Sequence, residues 1–220
     1  MVILTQITKK LHSFMCYTVT MIIDKIIYSG SKNEYTILTG VDIYNIKDST
    51  IAEFNLYKGK EITSDDLEHI LYFDKVQRAL EVCLKYLAYS RTAYQVKQKL
   101  KSLDFDDYVI EDAIYYLEEK GYLNDLSYAS AYASDKANLA KDGPIKIKSY
   151  LMQKGIEKDT AALAVKQIPE DLYLENLLTL AIKKSEVLDE DKKYEKLYRY
   201  LMQKGYEPAM IKFGLREILK

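Results

Sequence analysis

The chain has 220 residues, of which 48% are hydrophobic and 30% are charged, and its formal net charge is −1. This composition excludes an intrinsically disordered chain, and the near-neutral charge excludes a polycation, so that any nucleic-acid surface has to arise from local segregation of charge. Because the chain contains only 8 glycines and 3 prolines, long helices with short connections fit it better than an all-β fold.

The beginning of the chain predicts an extension ahead of the folded protein. The moderately apolar run at 11–23 follows Lys9 and Lys10, but polar residues interrupt it and no small-residue cleavage site follows. It is also too short to cross a bilayer. A second methionine, Met21, stands just before a strand-like segment. We therefore expect residues 1–20 to be a loosely held extension, and the two cysteines, which lack a CxxC partner, fit a cytoplasmic protein without a membrane span.

The next segment, 21–74, is predicted to form a small β-rich unit. Three short strands are indicated by β-branched runs and the turns between them, at 22–28, 34–38 and 41–46. Thr63 and Asp66 then resemble a capping box, which predicts that a helix begins there.

The rest of the chain has apolar residues at helical spacing and contains an internal repeat. The string Tyr150–Gly155 recurs as Tyr200–Gly205. The same register aligns the apolar residues Leu100, Leu151 and Leu201. A period of about 50 residues is typical of repeat architectures, in which neighbouring units bury each other's apolar faces. The sequence therefore predicts a mainly α fold, an elongated curved stack of three tandem three-helix repeats at 75–124, 125–170 and 171–220.

No catalytic or cofactor site can be assembled from the sequence. The only histidines, His12 and His69, are far apart and have no cysteine or paired carboxylate at metal-ligand spacing. The chain has neither a glycine-rich phosphate loop nor a nucleophile-elbow string. The acidic run at 189–191 is followed by lysines and fits a solvated helix face. We therefore expect a protein without enzymatic activity, cofactor or metal.

Several strings resemble those of one protein family, and the best match is the linked stretch at 121–156. Residues 121–125 resemble a G-Y-[LI]-[DN]-D string, and residues 143–156 resemble a G-P-x-x-I-x-x-x-L-x-x-K-G-I string. Residues 32–37 and 54–61 resemble the extra N-terminal segment found in members from low-GC Gram-positive bacteria. On these strings the chain is similar to the RecX family of regulatory proteins, from about residue 21 to its end.

The resemblance implies a partner and a function. RecX-like proteins bind the filament that the RecA recombinase forms on single-stranded DNA, and they reduce its ATP hydrolysis, strand exchange and coprotease activity without a catalytic centre of their own. The implied protein is a monomeric regulator whose contact with single-stranded DNA is weak or indirect. The chain departs from the family at Ser127 and Ser134, where many relatives carry a basic residue. The alternative function is a helical DNA-binding module that works without RecA.

Charge is segregated along the chain in a way that suggests where such contacts lie. Acidic residues outnumber basic ones from 41 to 74, and the balance reverses from 75 to 103. Together with the resemblance, this pattern predicts contacts to RecA or DNA at Arg78, Lys85, Arg91, Lys97, Lys101, Lys136, Lys141, Lys146, Lys148 and Lys154. These residues form either a basic stripe that faces phosphates or acidic protein groups, or an ordinary solvated surface. Tyrosines in the basic segment either stack on bases or pack in the fold, at 86, 89 and 94.

Overall fold

The computed structural model describes residues 19–30, 33–189 and 191–219. The chain divides into two compact units, one up to Arg78 and one from Ala79 onwards. This boundary falls inside a long helix, a few residues after the boundary at 74/75 that the sequence predicts. Residues 1–18 of the predicted extension at 1–20 lie outside the described residues.

The first unit contains two small antiparallel sheets. Strand β1 (Thr20–Ile22) pairs with β5 (Glu61–Thr63), and a three-stranded sheet has the order β2-β3-β4. The strands of that second sheet are β2 (Lys25–Tyr28), β3 (Glu34–Thr39) and β4 (Asp42–Lys47). The strands predicted at 34–38 and 41–46 are confirmed as β3 and β4, whereas β5 was not predicted, since a three-residue strand has no periodicity to recognise.

The β-branched run at 22–28 was predicted to form one strand, but it belongs to two. The run divides between the two sheets at Ile23 and Asp24, where the chain leaves β1 and enters β2. Ile23 is fully buried in the core of the unit, and the Asp24 carboxylate accepts a hydrogen bond from the backbone N–H of Gly40 at 2.6 Å. The sequence pattern of this run cannot reveal the break, because both the buried isoleucine and the polar aspartate also fit an alternating strand.

Two helices complete the first unit and lead into the second. Helix α1 (Asp48–Glu53) follows β4, and α2 (Ser64–Tyr86) follows β5. At the start of α2 the backbone N–H of Asp66 donates to the Thr63 hydroxyl at 3.1 Å, and the Thr63 N–H donates to the Asp66 carboxylate at 2.9 Å. This is the predicted capping box, and its hydrogen bonds from Thr63 lower the pKa of the Asp66 carboxyl.

The second unit consists of three consecutive three-helix repeats. The first repeat combines the end of α2 with α3 (Ala93–Lys101) and α4 (Asp107–Glu119). The second repeat contains α5 (Asp125–Asn138), α6 (Pro144–Gln153) and α7 (Lys158–Lys166). The third contains α8 (Glu170–Ser185), α9 (Lys193–Lys204) and α10 (Pro208–Ile218). The predicted mainly α fold, with three such repeats after a small β-rich unit, is confirmed.

Equivalent apolar positions in the repeats form the core. Leu100, Leu151 and Leu201 are each fully buried, as the shared register predicts. The second and third repeats share one continuous hydrophobic cluster, in which small side chains of α5 lie beside larger ones of α6, α8, α9 and α10. Its large, fully buried members include Ile147, Leu151, Leu177, Leu197, Leu201 and Tyr206. Because these repeats have a common core, we expect them to unfold together.

Candidate interaction surface

The first and second repeats meet where the N-terminus of α3 approaches the C-terminus of α6. The hydroxyl of Thr92, the N-cap of α3, donates to the backbone carbonyl of Lys154 at 2.8 Å. The first backbone N–H of α3 donates to the Asp125 carboxylate at 2.9 Å, and burial raises the pKa of that carboxyl. Tyr94 covers Gly155 so closely that a Cβ on the glycine would lie 2.2 Å from the Cβ and Cγ of the tyrosine. These contacts hold the two repeats at a fixed separation.

The second and third repeats meet in the same way. The backbone N–H of Gly143, the N-cap of α6, donates to the carbonyl of Lys204 at 2.8 Å, and that of Ile145 donates to the carbonyl of Gly205 at 3.0 Å. A Cβ on Gly205 would lie 2.3 Å from the Cβ of Lys146. The repeated string at 150–155 and 200–205 therefore marks a joint between repeats. In each copy, the C-terminus of a middle helix contacts the N-terminus of the middle helix in the preceding repeat.

A buried ionic network lies beside this second joint. The Asp142 side chain is almost fully buried, accepts a hydrogen bond from Lys146 at 2.9 Å and forms an ion pair with Lys204 at 3.6 Å. The hydrogen bond with Asp142 raises the pKa of the Lys146 ammonium group. The Lys141 ammonium donates to the side-chain oxygen of Asn176 at 2.8 Å. Lys141 and Lys146, two of the predicted contact residues, thus have partners inside the fold.

A groove with a volume of 680 Å³ lies between the first two repeats. Helices α2, α3, α5 and α6 and the residue that follows α6 contribute its walls. It is lined by tyrosine, glutamine and lysine side chains only: Tyr86, Tyr94, Gln95, Gln98, Lys99, Tyr132, Tyr150, Gln153 and Lys154. We call it the tyrosine groove. Its lining contains two cations and no carboxylate, so that its own side chains give it a positive charge.

Predicted contact residues gather around the tyrosine groove. The guanidinium carbon of Arg91 lies 4.9 Å from the ring centroid of Tyr86. The ammonium nitrogens of Lys136 and Lys154 each lie 5.4 Å from the ring centroid of Tyr132. Such cation–π contacts position the cations without neutralising their charge, since a tyrosine ring carries no net charge. The fold thus brings together three predicted cations that are far apart in the sequence.

Two other predicted contact residues form exposed ion pairs. Lys85 pairs with Glu81 at 2.8 Å, one helical turn earlier on α2. Lys101, near the end of α3, pairs with Asp107, at the start of α4, at 2.9 Å. Exposed pairs of this kind contribute little to stability and separate readily, so both lysines stay accessible to a partner.

Two further predicted contact residues and one lysine that was not predicted lie on α3 and α6. Lys97 and Lys148 form no hydrogen bond or ion pair within the described parts of the chain. Lys99 lines the tyrosine groove but was not among the predicted contacts. The signal that would have found it is its position one turn after Gln95 on α3, because residues four apart lie on the same helix face.

Arg78, also a predicted contact residue, lies in the first unit and has an internal role. Its Nε donates to Asp74 at 2.6 Å, one Nη donates to Glu34 at 2.7 Å, and the other donates to the carbonyl of Asn45 at 2.9 Å. These partners connect α2 to β3 and β4. With its donor groups engaged by two carboxylates, Arg78 is mainly a link between the helix and the sheet.

Two further features of the described residues bear on other classes of function. Across 19–30, 33–189 and 191–219, histidine, cysteine, aspartate and glutamate side chains form no group of three or more that could hold a metal ion. None of the helices within these ranges combines the length and the apolar character that a bilayer crossing requires.

Comparisons with known proteins agree with the repeat organisation. Family models described as the first, second and third three-helix domains of RecX match residues 79–117, 124–165 and 170–213. The regulatory protein RecX of Clostridioides difficile strain 630 is 35% identical over 173 residues, which cover 77% of this chain and 81% of that protein. The regulatory protein RecX of Leuconostoc mesenteroides is 28% identical over 180 residues, covering 80% of this chain and 66% of that protein.

Solved structures give the same result. A crystal structure of regulatory protein RecX superposes with a TM-score of 0.73 and 26% identity, covering 87% of this chain and 97% of that one. The structure of RecX from Lactobacillus salivarius superposes with a TM-score of 0.62 and 30% identity, covering 66% and 96%. The matches to all three domain models, to these relatives and to these structures show that the chain belongs to the RecX family of regulatory proteins.

Proposed function

We propose that this protein is a non-enzymatic regulator that binds the RecA filament on single-stranded DNA and inhibits its ATPase, strand-exchange and coprotease activities. The observation that supports this most directly is the match of all three repeats to RecX domains. The proposal makes the protein a cytoplasmic monomer whose partner is the assembled filament, and it gives single-stranded DNA a weak or indirect part in binding.

The basic residues on the helical unit support an electrostatic part in this binding. Lys97 and Lys148 form no hydrogen bond or ion pair in the described chain, and Lys136 and Lys154 contact a ring instead of an acid. These lysines keep their full charge for phosphates or for acidic groups of a partner. Lys85 and Lys101 become available when their exposed pairs separate. The proposal gives Arg78, Lys141 and Lys146 smaller parts, because their charged groups already have partners within the fold.

The mechanism is steric and electrostatic. Basic residues on two successive repeats make several weak contacts at once, so that the bound protein bridges neighbouring filament subunits. A protein lying along the filament would bias it towards disassembly and would block the access of a second DNA strand. Because the contacts act together, loss of one repeat should weaken binding steeply.

The test is the single-stranded-DNA-dependent ATPase activity of preformed RecA filaments, titrated with this protein at physiological salt. We expect ATP hydrolysis to fall at less than one protein per RecA. The double variant Lys97→Glu/Lys148→Glu should need a much higher concentration, whereas Lys166→Glu, an exposed lysine on α7, serves as the matched control. Unchanged hydrolysis at excess of folded wild-type protein would contradict the proposal and favour the RecA-independent DNA-binding module.

A further inference from the structure

We propose that the tyrosine groove is a binding site for single-stranded nucleic acid, in which unpaired bases stack on the tyrosine rings. This inference rests on the proposed function and deepens it, since it assigns a ligand class and a location to the contact with DNA. It also predicts that the contact depends on bases and not only on phosphates.

Four aromatic rings converge on the groove. Tyr86, Tyr94, Tyr132 and Tyr150 come from four different helices and line one groove. Tyr94 is 48% exposed, and the other three are half-buried, so their backbones are fixed by the fold while ring surface stays accessible. Stacking on such rings tolerates any base sequence, because every base has a π face.

Positive charge surrounds these rings. Lys99 and Lys154 line the groove, and Arg91 and Lys136 lie against rings at its walls. No carboxylate belongs to the lining. Cations interleaved with aromatic rings match a strand whose phosphates alternate with bases.

Uncharged polar side chains complete the lining of the groove. The side-chain amides of Gln98 and Gln153 have no hydrogen-bond partner within the described residues. Each amide offers both donors and an acceptor, which fit the exposed edges of unpaired bases. The groove volume of 680 Å³ lies inside the range of about 300–1,000 Å³ typical of small-ligand sites, so rings of the size of a nucleobase fit.

These features favour an unpaired strand over the other polyanions. In a duplex the bases are already stacked on each other and their faces are not available to protein rings. An acidic peptide would use the lysines but would have no use for four aromatic faces. We therefore commit to single-stranded nucleic acid and treat an acidic protein segment as an outcome of the test.

The experiment measures the affinity of the full chain for three probes in the absence of RecA. The probes are a short thymidine oligonucleotide, an abasic oligonucleotide of the same length, and a duplex. The chain contains no tryptophan, so Tyr150→Trp introduces a single reporter whose fluorescence a stacked base quenches. We expect quenching by the thymidine strand, and weaker binding of both the abasic strand and the duplex.

Matched substitutions test the rings themselves. Tyr94→Leu and Tyr150→Leu keep apolar bulk but remove the π face, so each should weaken thymidine binding about fivefold or more, while the phenylalanine variants stay near wild type. Tyr122→Leu, at an exposed tyrosine outside the groove, is the control. Thermal melting verifies that the variants fold, and if the leucine variants unfold, quenching of the Tyr150→Trp reporter still decides.

Three results would overturn the inference and remain distinguishable from failure of the proposed function. Equal affinity for abasic and thymidine strands would leave only phosphate contacts. An absence of quenching, or leucine variants equal to wild type, would exclude the groove as the base site. Leucine variants that lose RecA inhibition but keep DNA affinity would show that the groove holds a protein segment. If the wild type binds the oligonucleotide through the groove but leaves RecA hydrolysis unchanged, the proposed function fails and this inference stands.

Discussion

The joint between the second and third repeats leaves no room for a side chain at Gly205. Its φ of +86° lies in the left-handed region, where an L-residue loses roughly 1–2 kcal/mol. An alanine Cβ would also lie 2.3 Å from the Cβ and 2.5 Å from the backbone nitrogen of Lys146, so that α6 would have to move, and overpacking of this kind costs about 1–3 kcal/mol. Gly205→Ala should therefore lower the free energy of unfolding by about 2–5 kcal/mol.

Gly121 provides a matched control for this substitution. Its φ is +73°, but no heavy atom lies within 4 Å of an added Cβ, so Gly121→Ala should lose only the conformational part, about 1–2 kcal/mol. Urea unfolding followed by circular dichroism measures both variants, and each kcal/mol corresponds to a shift of about 2–4 °C in melting temperature for a chain of this size. Equal losses in the two variants would refute the argument that Gly205 is a docking point.

Three further predictions concern residues outside the groove. Asp66→Ala removes the partner of Thr63 and should lower the free energy of unfolding by about 1 kcal/mol at neutral pH. The pKa of Asp66 is lowered in the folded protein. The stability that wild type gains from this carboxylate is therefore present above the pKa of the unfolded chain and is lost as the pH falls through the pKa of the folded protein. Asn176→Leu leaves the carbonyl of Ala137 without its partner at 2.9 Å and should cost about 1–3 kcal/mol in chemical denaturation. Cys83 is 1% exposed and burial raises its pKa to about 11, so iodoacetamide should modify it only after unfolding, as read by peptide mass spectrometry.

Each of these has a result that would contradict it. An Asp66→Ala deficit that stays constant down to strongly acidic pH would mean that the ionised carboxylate is not the stabilising group. An Asn176→Leu variant as stable as wild type would show that the buried amide contributes nothing. Rapid alkylation of Cys83 under native conditions would mean that α2 opens locally at the start of the helical unit.

Local sequence features predicted the helical unit well, and the reason is physical. The apolar residues that form its core recur at helical spacing, and Gly121 and Gly205 end helices in the left-handed conformation that glycine adopts most easily. The register of the repeated string placed Leu151 and Leu201 correctly in the core. What the string could not reveal is that its final glycine contacts the preceding repeat, because that contact depends on how whole helices pack.

The interaction surface was predictable only in part. Composition identified a basic segment after residue 75, but a count of charges cannot separate a free cation from a paired one. Arg78 has partners 44 and 33 residues earlier, in Glu34 and Asn45, and no local pattern signals such pairs. No local pattern signals the tyrosine groove either, since its rings come from four helices. The β-rich unit was the least predictable, because strand pairing between β1 and β5 joins distant segments.

We propose the assembled RecA filament as the partner of this protein. The most direct test compares the affinity of the labelled full chain for RecA–single-stranded-DNA filaments, for free RecA and for naked single-stranded DNA, in one buffer at physiological salt. We expect binding to the filament to be much tighter than binding to either component, and binding to naked DNA to be weak and to fall steeply with salt. Equal affinity for naked DNA and for the filament would contradict this proposal.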